Sequence, residues 1–187
     1  MRREQAEAIA LQLLNHLELA SHFTKYEICG SIRRKKEEVN DIDIVAIPKV
    51  NYAFGEHTLE QDIDFIDDTG KAEAKAMGKS GVKRFLNGPS IKRFKYRDIM
   101  IDLYLATTEN YEVLRLIRTG SEQHNIKLTS IAIGKGMKLF ASGLGLWKVT
   151  RNPEDPKNPT PTELVSRSEN EILKILLGNV PAPEERN

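Results

Sequence analysis

The run Asp41-Ile42-Asp43-Ile44-Val45-Ala46-Ile47 restricts this chain more than any other stretch. Ile42, Ile44, Val45 and Ile47 are β-branched, and Asn40 and Pro48 bound the run, which predicts a buried strand. Residues two apart on a strand point to the same side, so Asp41 and Asp43 project together. Two such carboxylates ~4 Å apart, at an effective dielectric of 20, repel by about 4 kcal/mol. A fold accommodates that arrangement when a cation sits between them, and all-oxygen ligands favour magnesium or manganese over zinc. Upstream, Gly30 permits a tight turn, Ser31 brings a hydroxyl and a backbone N–H, and Arg33 and Arg34 follow. A small residue, a hydroxyl and a guanidinium suit a triphosphate. Phosphate-holding groups beside a metal-holding pair point to nucleotidyl transfer.

The 187 residues suffice for one domain, or for two small subdomains sharing a core. With 40% hydrophobic and 29% charged residues the composition is that of an ordinary soluble protein. A net charge of +1 conceals local imbalance: Glu56 to Asp68 holds six acidic residues, and Lys79 to Arg97 holds seven basic residues with no acid. Such a basic stretch suits an anionic polymer, with a solvated surface as the alternative. The single Cys29 excludes an internal disulfide and reads as a small buried hydrophobe. No apolar run reaches the length of a membrane span and no signal-peptide pattern opens the chain, so a cytoplasmic location is expected.

A second chemical feature is Asp102, alone in the apolar run Ile99-Met100-Ile101-Asp102-Leu103-Tyr104-Leu105. A charge there is costly unless it is paired with a base such as Arg97 or bound to metal. The rest of the chain reads as scaffolding. Ala6, Ile9, Ala10, Leu13, Leu17 and Ala20 predict an amphipathic helix over 3–20. A strand over Tyr26 to Cys29 delivers the Gly30-Ser31 turn. A second Asp-x-Asp, Asp62 and Asp64, falls in a helical pattern around Thr58 to Ile66, where residues two apart diverge. Helices are expected over Glu109 to Arg118 and Glu122 to Lys135, separated by Thr119-Gly120-Ser121, followed by a β-rich stretch from Lys138 to Trp147. Four prolines predict an extended loop over Asn152 to Pro161. Ser168 and Glu171 have the spacing of a capping box for a last helix, Ile172 to Leu177.

Gly-Ser-x-Arg-Arg, a short spacer and Asp41-x-Asp43, with Ile101-Asp102-Leu103 and Thr119-Gly120-Ser121 further on, resemble the palm and thumb of the family X DNA polymerases, the group of DNA polymerase beta. The likeness runs the whole length of the chain and lacks a counterpart of that family's N-terminal lyase and DNA-binding helices. It implies an α+β fold, with a nucleotidyltransferase palm (mixed sheet and flanking helices) over 1–106 and a small α/β thumb over 107–187. It also implies addition of a nucleotide from a dNTP to a primer 3′-hydroxyl on a DNA primer-template, in repair or gap filling.

In the roles the resemblance carries, Asp41, Asp43 and Asp102 hold two magnesium or manganese ions. Gly30, Ser31, Arg33, Arg34, Gly120 and Asn125 bind the nucleotide, and one of Arg2 and Arg3 reaches its triphosphate. Lys83, Arg84, Lys92, Arg93 and Thr129 contact DNA. An accessory DNA-binding or repair protein is a further expected partner. The chain departs from the family pattern at Ile117-Arg118, Ile126 and Thr129, where aromatic, lysine and arginine side chains are replaced, which leaves template dependence and sugar choice open. A template-independent or other nucleotidyltransferase, and a non-catalytic DNA-binding module, are the alternatives.

Overall fold

A computed structural model describes residues 1–15, 20–49, 86–150, 152, 155 and 158–186, and the chain divides into two compact units, Met1–Thr107 and Thr108–Asn187. The first unit opens on helix α1 (Arg3–Asn15), then strand β1 (Phe23–Ile28), a single helical turn α2 (Gly30–Arg33) and strand β2 (Asp41–Pro48). Strands β3 (Leu86–Asn87), β4 (Ile91–Tyr96) and β5 (Ile99–Leu105) complete a five-stranded mixed sheet of order β1-β2-β5-β4-β3. Only β2 and β5 run parallel; the other pairs are antiparallel.

The two faces of this sheet are divided by the period of two along each strand. Ile42, Ile44 and Ala46 of β2, Phe94 of β4, and Ile99, Ile101 and Leu103 of β5 join Ala6, Ala10, Leu13 and Leu14 of α1 in one buried cluster. Helical spacing of the apolar residues of α1 supplies the stripe that covers this face. The intervening positions, Asp41 and Asp43 on β2, Arg93 on β4 and Asp102 on β5, fall on the opposite side. A one-residue slip of β2 would place both aspartates in the core, so burial of the isoleucines sets which residues reach the site.

In the second unit, α3 (Tyr111–Thr119) and α4 (Glu122–Gly134) precede a three-stranded antiparallel sheet of β6 (Met137–Phe140), β7 (Gly145–Thr150) and β8 (Thr160–Ser166). Helix α5 (Glu169–Leu177) and a 3₁₀ turn (Pro183–Glu185) end it. Its core joins Val113, Leu116, Leu128, Ala132, Leu139, Leu146, Ile172, Leu173 and Leu176. Two helices meet at Gly120, whose φ of 66° ends α3. Ser121 caps α4, its hydroxyl accepting from the His124 backbone N–H at 3.2 Å.

Several local expectations are corrected. The first helix is described over Arg3–Asn15, the rest of its expected span up to residue 19 lying outside the described residues, while β1 begins at Phe23, ahead of Tyr26. The proline-rich stretch carries a strand at its end: β8 starts at Thr160 and takes in Pro161, which an edge strand tolerates because one side of its ladder has no partner. Helix α5 begins at Glu169 and its Ser168 cap makes no side-chain bond. The Ser166 hydroxyl donates to Glu171 Oε2 at 2.7 Å and accepts the Ser168 backbone N–H at 2.9 Å, so Glu171 meets a serine two residues upstream of the expected box. The second Asp-x-Asp, Asp62 and Asp64, lies outside the described residues. None of the described helices is long and apolar enough to cross a membrane.

Candidate active site

Strand β1 delivers the chain into a turn that only glycine permits. Gly30 has φ +60°, and a Cβ built on it would stand 2.2 Å from Asp43 Oδ2. The side chain of Asp43 therefore lies directly over the Gly30 backbone, and the Cys29 N–H donates to the Asp43 carbonyl at 2.7 Å, binding turn to strand. From Gly30 the chain makes one helical turn and folds back at Lys35, φ 55°, where the Lys36 N–H donates to the Ser31 carbonyl at 3.0 Å. These bonds place Ser31, Arg34 and Lys36 opposite Asp41 and Asp43. Gly30→Ala is expected to lower stability by about 1–3 kcal/mol, because it imposes both a left-handed backbone and a clash with a carboxylate. Thermal melting checks this, and an unchanged melting temperature overturns the assignment of the close approach.

The resulting cleft, of about 540 Å³, is lined by Gly30, Ser31, Arg34, Lys36, Glu37, Glu38, Asn40, Asp41 and Asp43. Ser31 Oγ is shielded from solvent and makes no hydrogen bond, leaving a hydroxyl donor uncommitted. Burial pulls the Arg34 guanidinium below its ordinary pKa, while Asp43 and then Asp41 raise it. It stays a cation at neutral pH, facing two carboxylates, and is placed to meet an anion held between them. Arg33 does not line this cleft: its Nε pairs with Glu27 Oε1 of β1 at 2.8 Å. Of the two N-terminal arginines, Arg2 bridges by its backbone to Glu38 at the cleft, whereas Arg3 donates to the Lys35 carbonyl at 3.3 Å and to Glu4 at 3.2 Å.

The parallel register of β2 and β5 sets Asp43 beside Asp102. Asp102 is 2% exposed and is held by a fork: Arg93 Nε donates to Oδ1 and a terminal nitrogen of Arg93 to Oδ2, both at 2.5 Å. The Tyr104 hydroxyl adds a bond to Oδ2 at 3.3 Å. The bond to Asp102 raises the Arg93 pKa above its ordinary value, against desolvation. Arg97, the base that proximity in sequence favours, instead donates to Gln12 at 2.6 Å and lies over the Tyr96 ring. Among the described residues no group of three or more His, Cys, Asp or Glu side chains stands close enough to cage a cation.

The remaining sequence candidates divide in the same way. Lys92, on the core side of β4, is only 6% exposed, so the DNA contact expected of it has no surface cation behind it. Arg93, expected on DNA, is committed to Asp102, and Lys83 and Arg84 lie outside the described residues. In the second unit, Gly120 is the turn between helices, and Asn125 Nδ2 donates to the Ile117 carbonyl at 2.8 Å while its Oδ1 is buried without a partner. Thr129 Oγ1 donates back to the Asn125 carbonyl at 2.9 Å on an exposed helix face, where Ile126 is 58% exposed. Sequence reasoning missed Lys36, Asn40, Glu37 and Glu38 as walls of the cleft. The only local signal for them was their place in the short connection between the turn and β2.

A mixed sheet carrying paired aspartates beside a Gly-Ser turn thus precedes a unit of helices and an antiparallel sheet. Residues 114–187 match the family model for the DNA polymerase beta thumb. The chain is 27% identical over 136 residues to the DNA polymerase/3'-5' exonuclease PolX of Bacillus subtilis (strain 168). That match takes in 73% of this chain and 21% of the relative, so the chain spans about a fifth of that protein's length. Its fold is similar to that of Leishmania infantum polymerase beta in two ternary complexes. For the primer-template complex the TM-score is 0.71, at 20% identity, over all of this chain and 76% of the other. For the gap complex it is 0.66, at 20% identity, over all of this chain and 70% of the other. The chain thus carries a stretch matching the DNA polymerase beta thumb, within a fold similar to that of polymerase beta.

Proposed function

We propose that the chain is a DNA-directed DNA polymerase that transfers a nucleotide from a dNTP to a primer 3′-hydroxyl, in repair or gap filling. One observation carries this reading: Asp41, Asp43, Ser31 and Arg34 line a single cleft, with Asp102 the register neighbour of Asp43. The donor set fits divalent cations, being all carboxylate oxygen on two adjacent strands, with an uncommitted hydroxyl and a guanidinium alongside for phosphate. Asp41, Asp43 and Asp102 would hold magnesium or manganese, which when bound lowers the pKa of an attacking hydroxyl and neutralises charge on the triphosphate.

The protein's own residues have separate tasks in this scheme. Ser31 Oγ donates to a phosphate oxygen and gains the partner it lacks. Arg34 offers a forked guanidinium to the same group, with its ionic hydrogen bonds strengthened by partial burial. Gly30 keeps the turn flat against Asp43 and so leaves room for phosphate beside the carboxylates. Asp102, once an oxygen is released from its fork with Arg93, would take up the proton of the primer hydroxyl. Thr129 and Asn125 belong to the second unit, where the DNA and the base edge of the nucleotide are assigned.

Primer extension with and without template, on gapped and single-stranded DNA, tests the reading. Template-dependent addition supports it, template-independent addition marks a terminal transferase, and DNA binding without addition marks a non-catalytic module. Arg34→Ala is expected to weaken nucleotide binding roughly 10- to 100-fold, the worth of a charge-assisted hydrogen bond, while leaving DNA affinity nearly unchanged. Separate titrations of nucleotide and DNA check this, and an equal loss in both would assign Arg34 to the general field.

A further inference from the structure

We infer that Arg93 is the resident counter-ion of Asp102, a positioning residue that holds the carboxylate in place and that a divalent cation must displace to use it. The inference rests on the reading above only for the kind of cation. A carboxylate 2% exposed to solvent keeps its charge only with a partner of opposite sign or a metal. Arg93 is that partner, because the antiparallel register of β4 and β5 sets it directly across from Asp102. Its fork takes both carboxylate oxygens, and the Tyr104 hydroxyl takes up further capacity on Oδ2. With three of its roughly four acceptor sites taken and the residue buried, a cation reaching Asp102 has to displace part of this fork.

The two partners are not equally confined. The Asp102 side chain is 3% exposed, whereas that of Arg93 is 39% exposed, so the guanidinium is the member able to swing out toward solvent. Exchange of a guanidinium for a metal ion preserves local charge balance, whereas loss of the guanidinium alone would strand a buried anion. Asp41 also lies within the electrostatic reach of Arg93. The displaced cation thus remains near the negative groups of the site. A residue whose task was to neutralise DNA phosphate would present its guanidinium outward. Arg93 instead spends its fork on the site's third carboxylate.

Manganese binding to the full chain, without nucleotide or DNA, tests this by electron paramagnetic resonance of free Mn²⁺ alongside thermal melting. Arg93→Ala should bind Mn²⁺ roughly tenfold or more tightly than wild type, as the competing charge-assisted fork is gone. Mn²⁺ should also raise the melting temperature of this variant more than that of wild type. Arg93→Lys, which keeps the charge and loses the fork, should fall between and guards against a misfolded alanine variant. The gain should vanish when Asp102→Ala is added. Affinity in Arg93→Ala and Arg93→Lys no tighter than in wild type, or a gain that survives Asp102→Ala, overturns the inference. Wild-type primer extension separates the two claims. Extension with Arg93-indifferent metal affinity overturns this inference alone. No extension with the predicted Mn²⁺ response supports it and removes the polymerase reading.

Discussion

Asp43→Asn is expected to lower nucleotide addition about a thousandfold at saturating magnesium, with the variant melting within a few degrees of wild type. Asparagine keeps the shape of the side chain over Gly30 but removes the charge that a cation needs. Several kcal/mol of transition-state stabilisation go with it, and each ~1.4 kcal/mol is a factor of ten in rate. The effect on folding is small because the same change relieves repulsion with Asp41, which stands two residues away on the same strand face. Single-turnover insertion of a dNTP opposite a defined template base, with a melting curve from the same preparation, checks both halves. A folded variant within tenfold of wild type in magnesium would remove Asp43 from the centre.

The largest expected loss of stability is in the second unit. Glu169 is 1% exposed and binds Arg186 at 2.5 Å, and Arg115 Nε stands 2.6 Å from its Oε2 as an ion pair rather than an aligned hydrogen bond. Its backbone N–H donates to Glu112 at 3.0 Å, fixing the start of α5 against α3. Glu169→Ala leaves the guanidinium of Arg186, itself 2% exposed, buried without its carboxylate, at about 3–5 kcal/mol. That is a large share of the few to ~15 kcal/mol by which a domain is stable. The consequence reaches the inter-helix turn, because the Arg186 carbonyl accepts the Ser121 backbone N–H at 3.0 Å. Denaturant unfolding should show the loss, with faster amide exchange at Ser121 than in wild type. A cost below about 1 kcal/mol would mean that the two arginines find other partners.

Within one stretch of chain, the sequence by itself determined a great deal. Gly30, Ser31, Arg34, Asp41 and Asp43 are close enough along the chain that a turn and a strand bring them into one cleft, and periodicity of two puts both aspartates on one side. Ile42 and Ile44 of β2 and Ala6, Ala10 and Leu13 of α1 were readable for the same reason, since local period reflects burial. Asp102 was recognisable as a group needing a partner, because an isolated charge in an apolar strand has a known cost.

What only the tertiary structure decided is which partner each group has. Arg97 lies nearer to Asp102 in sequence, yet Arg93 holds it, because the register of β4 against β5 sets Arg93 opposite and sends Arg97 to Gln12. The adjacent arginines of the turn part company likewise: Arg34 lines the cleft and Arg33 turns to Glu27 on β1. Lys92 and Arg93 read as one basic surface, but neighbouring residues on a strand face opposite ways, one to the core and one to the site. Composition records that a charge exists; strand register and the face it occupies decide what that charge meets.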